Sequence, residues 1–328
     1  MFEDLFSFHE FVREERMFCA TLAHLLMQSD PRGRSTNLER FLGLVNSRLD
    51  QGAGSGDPLD ASAATTAQLY LEFTFLRDHW NRIHGTKTER NLKRRNLICS
   101  LLRSVPGLEA YGEEADSLCP PDSVDPLVFN RYFMETAGGT SPAVNGIRVP
   151  ERDVAYPVLW SIPALRGRWA RIHGNGARDS LEARAEFRRL CQFKWAFNAK
   201  PDLVVLLPDA RFGARAMCIE AKLESGEDSY VVDYDQGRMD QGRVGQIELQ
   251  QFMFRYLLNV PFQSVLVSRA AGIVATPSAV QGDQLLDRTV KLSWSETFAS
   301  LCKCGSIGFT RTLLEKNGNL KPRLVELQ

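Results

Sequence analysis

One stretch, KPDLVVLLPDARFGARAMCIEAKLESGE at residues 200 to 227, restricts the possible folds of this chain more than any other. Two apolar runs, DLVVLLPD and AMCIEAKL, flank the turn-forming DARFGAR, and short apolar runs bounded by turn residues predict strands. AMCIEAKL alternates: Met217, Ile219, Ala221 and Leu223 share one face, and period two sends Cys218, Glu220 and Lys222 to the other. Pro201-Asp202 opens the first run, and proline is tolerated there because a first strand residue need not donate to the ladder. If the runs pair as a hairpin, Asp202 and Glu220 meet at one end of a sheet.

Two carboxylates in one small space repel each other unless a positive charge neutralises them. A divalent cation does so, and Mg²⁺ (or Mn²⁺) takes one or two carboxylates, completing its shell with water and phosphate oxygens. Such a cation lowers the pKa of a bound water and polarises a phosphate, while Lys222 supplies a compact charge to orient the water and offset the transition state. Hydrolysis of a phosphodiester is the chemistry this set of residues suits.

Around the hairpin, FHEFVREERMFCATLAHLLMQ spaces Phe11, Phe18, Leu22, Leu25 and Leu26 as an amphipathic helix, with Glu15 on its apolar face. DQGAGSGDPLDASAATT reads as a loop, and AQLYLEFTFLRDHWNRI and RNLKRRNLICSLLRSV as two helices, so the region from 30 to 105 is predicted mostly helical. Prolines and glycines from 105 to 150 predict irregular connections and a short helix at PLVFNRYFMETA. YPVLWSIPAL reads as a strand, and DSLEARAEFRRLCQFKWAF as a helix with Asp179 as N-cap. After the hairpin come the acidic SGEDSYVVDYDQGRMDQG, a helix at QIELQQFMFRYLLN, a strand at FQSVLVSR, a strand and helix at TVKLSW and SETFASLCK, and a C-terminal hairpin.

Pro201-Asp202 followed by Glu220-Ala221-Lys222 on two apolar strands resembles the PD-(D/E)xK, restriction-endonuclease-like nuclease superfamily. The resemblance implies an α/β fold, a mixed central sheet flanked by helices with a helical insertion. It implies core segments at 1–30 and 150–300, a mostly helical insertion or cap at 31–149, and a C-terminal extension at 301–328. It implies Mg²⁺-dependent nuclease activity, on DNA more than RNA, in a bacterial antiviral defence or restriction setting. The metal ligands it implies are Asp202, Glu220, the Ala221 carbonyl and Glu15, with Lys222 orienting water and Gln246 and Gln250 of the following helix near the site. The alternative is a nucleic-acid-binding or protein-interaction module of the same fold without the chemistry. An acidic segment at 224–240 departs from the family pattern; it suggests a gate released by a partner protein or activating ligand. A homodimer is a further expectation, since many such families cut two strands as dimers.

With Lys plus Arg equal to Asp plus Glu at 40 each, net charge neither demands nor excludes a polyanionic partner, and only local clusters speak to it. Lys87, Arg90, Lys93, Arg94 and Arg95 form one cluster, and Arg166, Arg168, Arg171, Arg178, Arg184, Arg188 and Arg189 another; both suit phosphate-backbone contact. Trp169 and Trp195 are read as core residues ahead of base-stacking ones. Seven cysteines without a CxxC pair point to neither a disulfide framework nor a zinc ribbon, and Cys302 and Cys304 read as ordinary thiols. The acidic N-terminus and the lack of an 18-residue apolar run lead to the expectation of a cytoplasmic protein without membrane spans. No Walker A, GxGxxG or GxSxG pattern occurs, which excludes those routes to nucleotide binding or esterase chemistry.

Overall fold

The computed structural model describes residues 15–28, 36–51, 58–72, 74–136, 152–174, 180–222, 229–233, 241–268 and 289–301. Along them run α1 (Glu15–Leu26), α2 (Asn37–Gln51), β1 (Gln68–Leu71), α3 (Phe75–Asn81), α4 (Lys87–Ser104), α5 (Glu109–Leu118) and α6 (Pro126–Met134). There follow α7 (Ile162–His173), α8 (Leu181–Ala196), β2 (Leu203–Asp209), β3 (Gly213–Ala221), β4 (Ser229–Asp233), β5 (Gln241–Gly245), α9 (Gln246–Phe252), β6 (Phe262–Ser268), β7 (Val290–Ser293) and α10 (Trp294–Ser300). The fold is mixed α/β, and no helix among the described residues is long and apolar enough to cross a membrane.

The chain divides into two compact units, the first comprising Met1–Phe73, Pro201–Glu227 and Val260–Gln328. It is built on a five-stranded sheet of order β1-β2-β3-β6-β7. β1, β2 and β3 are antiparallel neighbours, while β3, β6 and β7 are parallel. The difference follows from the connections. β2 and β3 are joined by a tight turn in which Asp209 Oδ1 accepts from the N–H groups of Arg211 (2.8 Å) and Phe212 (2.9 Å), and Gly213 adopts φ +78°. A strand parallel to β3 needs a long crossover, and residues 222–261 supply its length.

Alternation puts Leu203, Val205, Met217, Ile219, Val265 and Val267 on one face of the sheet. That face packs under Leu22 and Leu26 of α1, Phe41 and Val45 of α2, and Trp294 and Phe298 of α10. Each of these buried side chains contributes roughly 1.5–3 kcal/mol by leaving water. The start of α10 is set by Ser293, whose side chain accepts from Glu296 N–H while Glu296 reaches back to Ser293 N–H.

The second unit comprises Thr74–Lys200 and Asp228–Asn259. It holds α3 to α8, α9 and the antiparallel β4–β5 ribbon. Its core is aromatic: Phe133 stacks on Trp160 at 3.8 Å and Trp160 on Phe193 at 5.6 Å. Trp169 is fully buried, its indole N–H donating to the Ala183 carbonyl at 2.7 Å. Trp195 stacks on Tyr230 at 5.1 Å. α9 runs on into a π-helical turn at Met253–Leu257.

Several expectations are corrected. AQLYLEF was expected to be helical, yet Gln68–Leu71 is the edge strand β1, because Leu69 and Tyr70 pair against the buried β2 and tertiary pairing overrides local pattern. ASAATT, expected as loop, makes a 3-10 turn capped by Asp60. YPVLWSIPAL is no strand: Pro157 starts a 3-10 turn, and Ser161 with Pro163 starts α7. α5 occupies part of the region expected to be irregular. The N-cap of α8 is Ser180, and Asp179 lies outside the described residues. Part of the acidic segment forms β4. The units part at 73/74, 200/201, 227/228 and 259/260, with α2 packed on the sheet and β1 paired to β2 in the first unit. Arg178, Cys302, Cys304 and the C-terminal hairpin lie outside the described residues.

Lys194 gives a pH test of the second unit. Its ammonium is buried, donates to the Val158 carbonyl at 2.7 Å, and burial pushes its pKa down to about 8. The unfolded chain holds that proton up to about 10.5, so between these values the unfolded state binds more protons and stability rises with pH. Lys194→Met should abolish this component, worth roughly 3 kcal/mol, as read from denaturant midpoints at neutral and alkaline pH relative to wild type; an unchanged pH dependence would contradict it.

Candidate active site

The register of β2 and β3 assembles the site. Leu203 lies opposite Ile219, so one step beyond the ladder Asp202 lies opposite Glu220 and Pro201 opposite Ala221. Asp202 Oδ2 accepts a hydrogen bond from Ala221 N–H at 2.9 Å. This fixes the carboxylate at the mouth of the hairpin, where Asp202 remains partly exposed. On the opposite side, Glu72 N–H donates to the Asp202 carbonyl at 2.9 Å. Glu72, just past β1, sits in the left-handed region at φ 50°, a conformation uncommon for a residue with a Cβ.

Glu220 is 1% exposed and lies on the sheet face opposite the apolar core. Its Oε1 is 2.9 Å from Lys222 Nζ, a buried ion pair two residues apart along the strand. Its charge is felt at Cys218 on the same face, whose thiol is pushed well above the usual range, first by burial and then by the Glu220 carboxylate. The backbone of Lys222 is held on both sides: its N–H donates to the Val267 carbonyl at 2.8 Å, and its carbonyl accepts from Trp294 Nε1 at 3.0 Å. Trp294 and Glu72 are the supporting residues that motif reading passes over. The capping pattern Ser293…Glu296 marks the place of Trp294, whereas nothing local marks Glu72.

Asp202, Glu220, Ala221 and Lys222 are therefore brought together at one end of the hairpin. Glu15 opens α1 in the same unit, and its side chain lies outside the described ones. Gln246 and Gln250 lie on α9 in the second unit, Gln250 buried and Gln246 partly exposed. Among the described residues no group of three or more His, Cys, Asp or Glu side chains could hold a metal.

The cationic clusters are less available than their sequence suggests. Arg95 is 2% exposed, with its Nε on the Cys119 carbonyl at 2.8 Å and an ion pair to Asp116, so burial removes it from any surface role. Arg90 pairs with Asp153 at 2.9 Å, Lys93 donates to the His84 carbonyl at 3.1 Å, and Arg94 lies over Trp80. Arg168 donates to the Tyr132 carbonyl at 2.9 Å, and Arg171 pairs with Glu114. Lys87 is exposed.

Arg188 is buried in the second unit, clasping Glu248 through Nε (2.9 Å) and Nη2 (2.7 Å). Burial raises the Glu248 pKa, opposed by Arg188. Glu248 also accepts from Gly245 N–H at 3.4 Å and from Gln192, which anchors the first turn of α9. No protein-family model, curated protein or solved structure matches this chain.

A buried ion pair costs most when only one partner is removed. Lys222→Met should therefore destabilise the protein by about 3–5 kcal/mol, and adding Glu220→Gln should restore most of the loss. Chemical denaturation of the two single variants and the double variant measures this; strictly additive losses would show that the pair does not act as a unit.

Proposed function

We propose that this chain is a metal-dependent nuclease that hydrolyses nucleic-acid phosphodiester bonds. The observation that carries the reading is the cross-strand placement of Asp202 against Glu220, with the Asp202 carboxylate tied to the Ala221 N–H. The order of elements supports it: α1 precedes a mixed sheet, β2 and β3 that carry Asp202, Glu220 and Lys222 are neighbours, and α9 and β6 follow in the chain, as the PD-(D/E)xK resemblance implies of a helix, a mixed sheet, a helix and a further strand.

The donor set fits a hard divalent cation. Asp202 and Glu220 offer carboxylate oxygens. Ala221 adds a carbonyl, because N–H and C=O of one strand residue point to the same side and its N–H points at Asp202. Pro201, opposite, has no N–H with which to engage that carbonyl. Two carboxylates and one carbonyl suit Mg²⁺ or Mn²⁺, which keep waters and substrate phosphates in their shell, better than a closed zinc cage.

When bound, the cation lowers the pKa of a water and polarises the scissile phosphate. The chain's own groups do the rest. Asp202, Glu220 and the Ala221 carbonyl would hold the cation. Lys222, held at its backbone by Val267 and Trp294, presents an ammonium that shields Glu220, orients the attacking water and offsets charge on the reacting phosphate. The preference for DNA over RNA as substrate follows from the resemblance.

A second reading, a nucleic-acid-binding module without chemistry, draws on the closed Glu220–Lys222 pair, in which the ammonium already neutralises the carboxylate. One assay separates the two. Purified protein with Mg²⁺ or Mn²⁺ should cut DNA, and Asp202→Asn and Glu220→Gln should each slow cutting on the order of 10²-fold or more while circular dichroism remains native. Metal-independent binding with no cleavage of DNA or RNA would instead support the module.

A further inference from the structure

The Glu220–Lys222 pair sets the charge balance at the hairpin mouth. Lys222 Nζ lies 2.9 Å from Glu220 Oε1, and both residues are buried, Glu220 at 1% exposure. The ammonium therefore engages the same carboxylate that the nuclease reading assigns to a cation, and Lys222 competes with that cation for Glu220. Like charges in one small buried space repel, so the ammonium has to leave when a divalent ion is held there. Only the Lys222 side chain can make that move. Its N–H is bonded to the Val267 carbonyl, and its carbonyl to the Trp294 indole N–H.

An ammonium parted from its carboxylate in a buried place is strongly unfavourable. The local charges show what relieves it. Asp202, Glu220 and Lys222 together carry one net negative charge, and a divalent ion turns this into one net positive charge. Asp202 cannot supply the balance, because it serves the same ion and its Oδ2 already accepts from Ala221 N–H. One phosphodiester anion restores neutrality, and Mg²⁺ or Mn²⁺ admits substrate phosphate to its shell.

Resting on the nuclease reading, we propose that Lys222 makes cation binding and substrate binding cooperative. Its ammonium leaves Glu220 for a phosphodiester oxygen as the cation takes its place. Either ligand alone meets a penalty. The cation alone strands the ammonium, and the phosphate alone draws Lys222 away and leaves two carboxylates without a positive charge. Together they satisfy every charge. The coupling is reciprocal, so each ligand raises the affinity for the other by the same factor. Divalent ion is thereby held loosely until nucleic acid is present, which ties loading of the site to its substrate.

The test is calorimetry of Mn²⁺ binding at one fixed pH, with and without a short phosphorothioate DNA oligonucleotide, whose charged backbone resists cleavage. A methylphosphonate oligonucleotide of the same sequence, without backbone charge, is the control, and ion bound by either oligonucleotide alone is subtracted. In wild type the phosphorothioate should tighten Mn²⁺ binding about 10-fold or more, and the methylphosphonate should not. Lys222→Gln should bind Mn²⁺ alone several-fold more tightly than wild type and lose the oligonucleotide effect. Lys222→Arg, whose planar fork can hold both Glu220 oxygens, should bind Mn²⁺ alone more weakly than wild type, and it carries the comparison should Lys222→Gln fail to fold. Equal Mn²⁺ affinity with and without the phosphorothioate in wild type, or a wild-type effect retained in Lys222→Gln, overturns the coupling while the nuclease reading stands. Lys222→Arg binding Mn²⁺ alone as tightly as wild type also overturns it. Mn²⁺ binding that is absent from wild type in both conditions, or unaltered by Asp202→Asn, overturns the nuclease reading and the coupling with it.

Discussion

The pairing register of β2 against β3 is the constraint on which the first unit depends. With Leu203 opposite Ile219, three apolar residues of each strand enter the core and three polar groups gather at the hairpin mouth. A slip of one residue would exchange the faces, taking Met217 and Ile219 out of the packing against α1 and α10 and driving Glu220 and Lys222 into it. The turn at Asp209–Gly213 and the hydrogen bond from Ala221 N–H to Asp202 Oδ2 hold that register from its two ends. The same bond that pins the backbone also aims the carboxylate.

Burial on the polar face has a cost that the ion pair offsets. Glu220 at 1% exposure would be strongly penalised as a lone anion, and Lys222 supplies the compensating charge within 2.9 Å. A buried pair of this kind adds little net stability over an apolar replacement, yet removing one partner alone is costly. Removing a charge here must therefore be judged on folding as well as on activity. Lys194 and Glu248 in the second unit differ: their polar partners are carbonyls, an arginine and a glutamine that fix helices in place.

The hairpin was legible because its signals are local. Strand period, turn residues and the position of Pro201 lie within one stretch of chain, as do the helix at α8 and the strands β6 and β7. What escaped the sequence depends on distant partners. Gln68–Leu71 has no strand signal strong enough to stand alone and becomes β1 only because β2 offers an open edge, yet its end holds the Asp202 carbonyl through Glu72. Arg95 and Arg188 look like surface charge in a linear string. Only the fold shows that Asp116 and the Cys119 carbonyl enclose one, and Glu248 the other.

The central claim is that Pro201-Asp202 and Glu220-Ala221 form one cation site across the hairpin. Anomalous diffraction from crystals soaked in Mn²⁺ tests it most directly. A peak bridging the Asp202 and Glu220 carboxylates, with the Ala221 carbonyl at a coordination distance of about 2.0–2.2 Å, is the expected result. A map with no peak there, and with Lys222 still closed on Glu220 at saturating Mn²⁺, would contradict it.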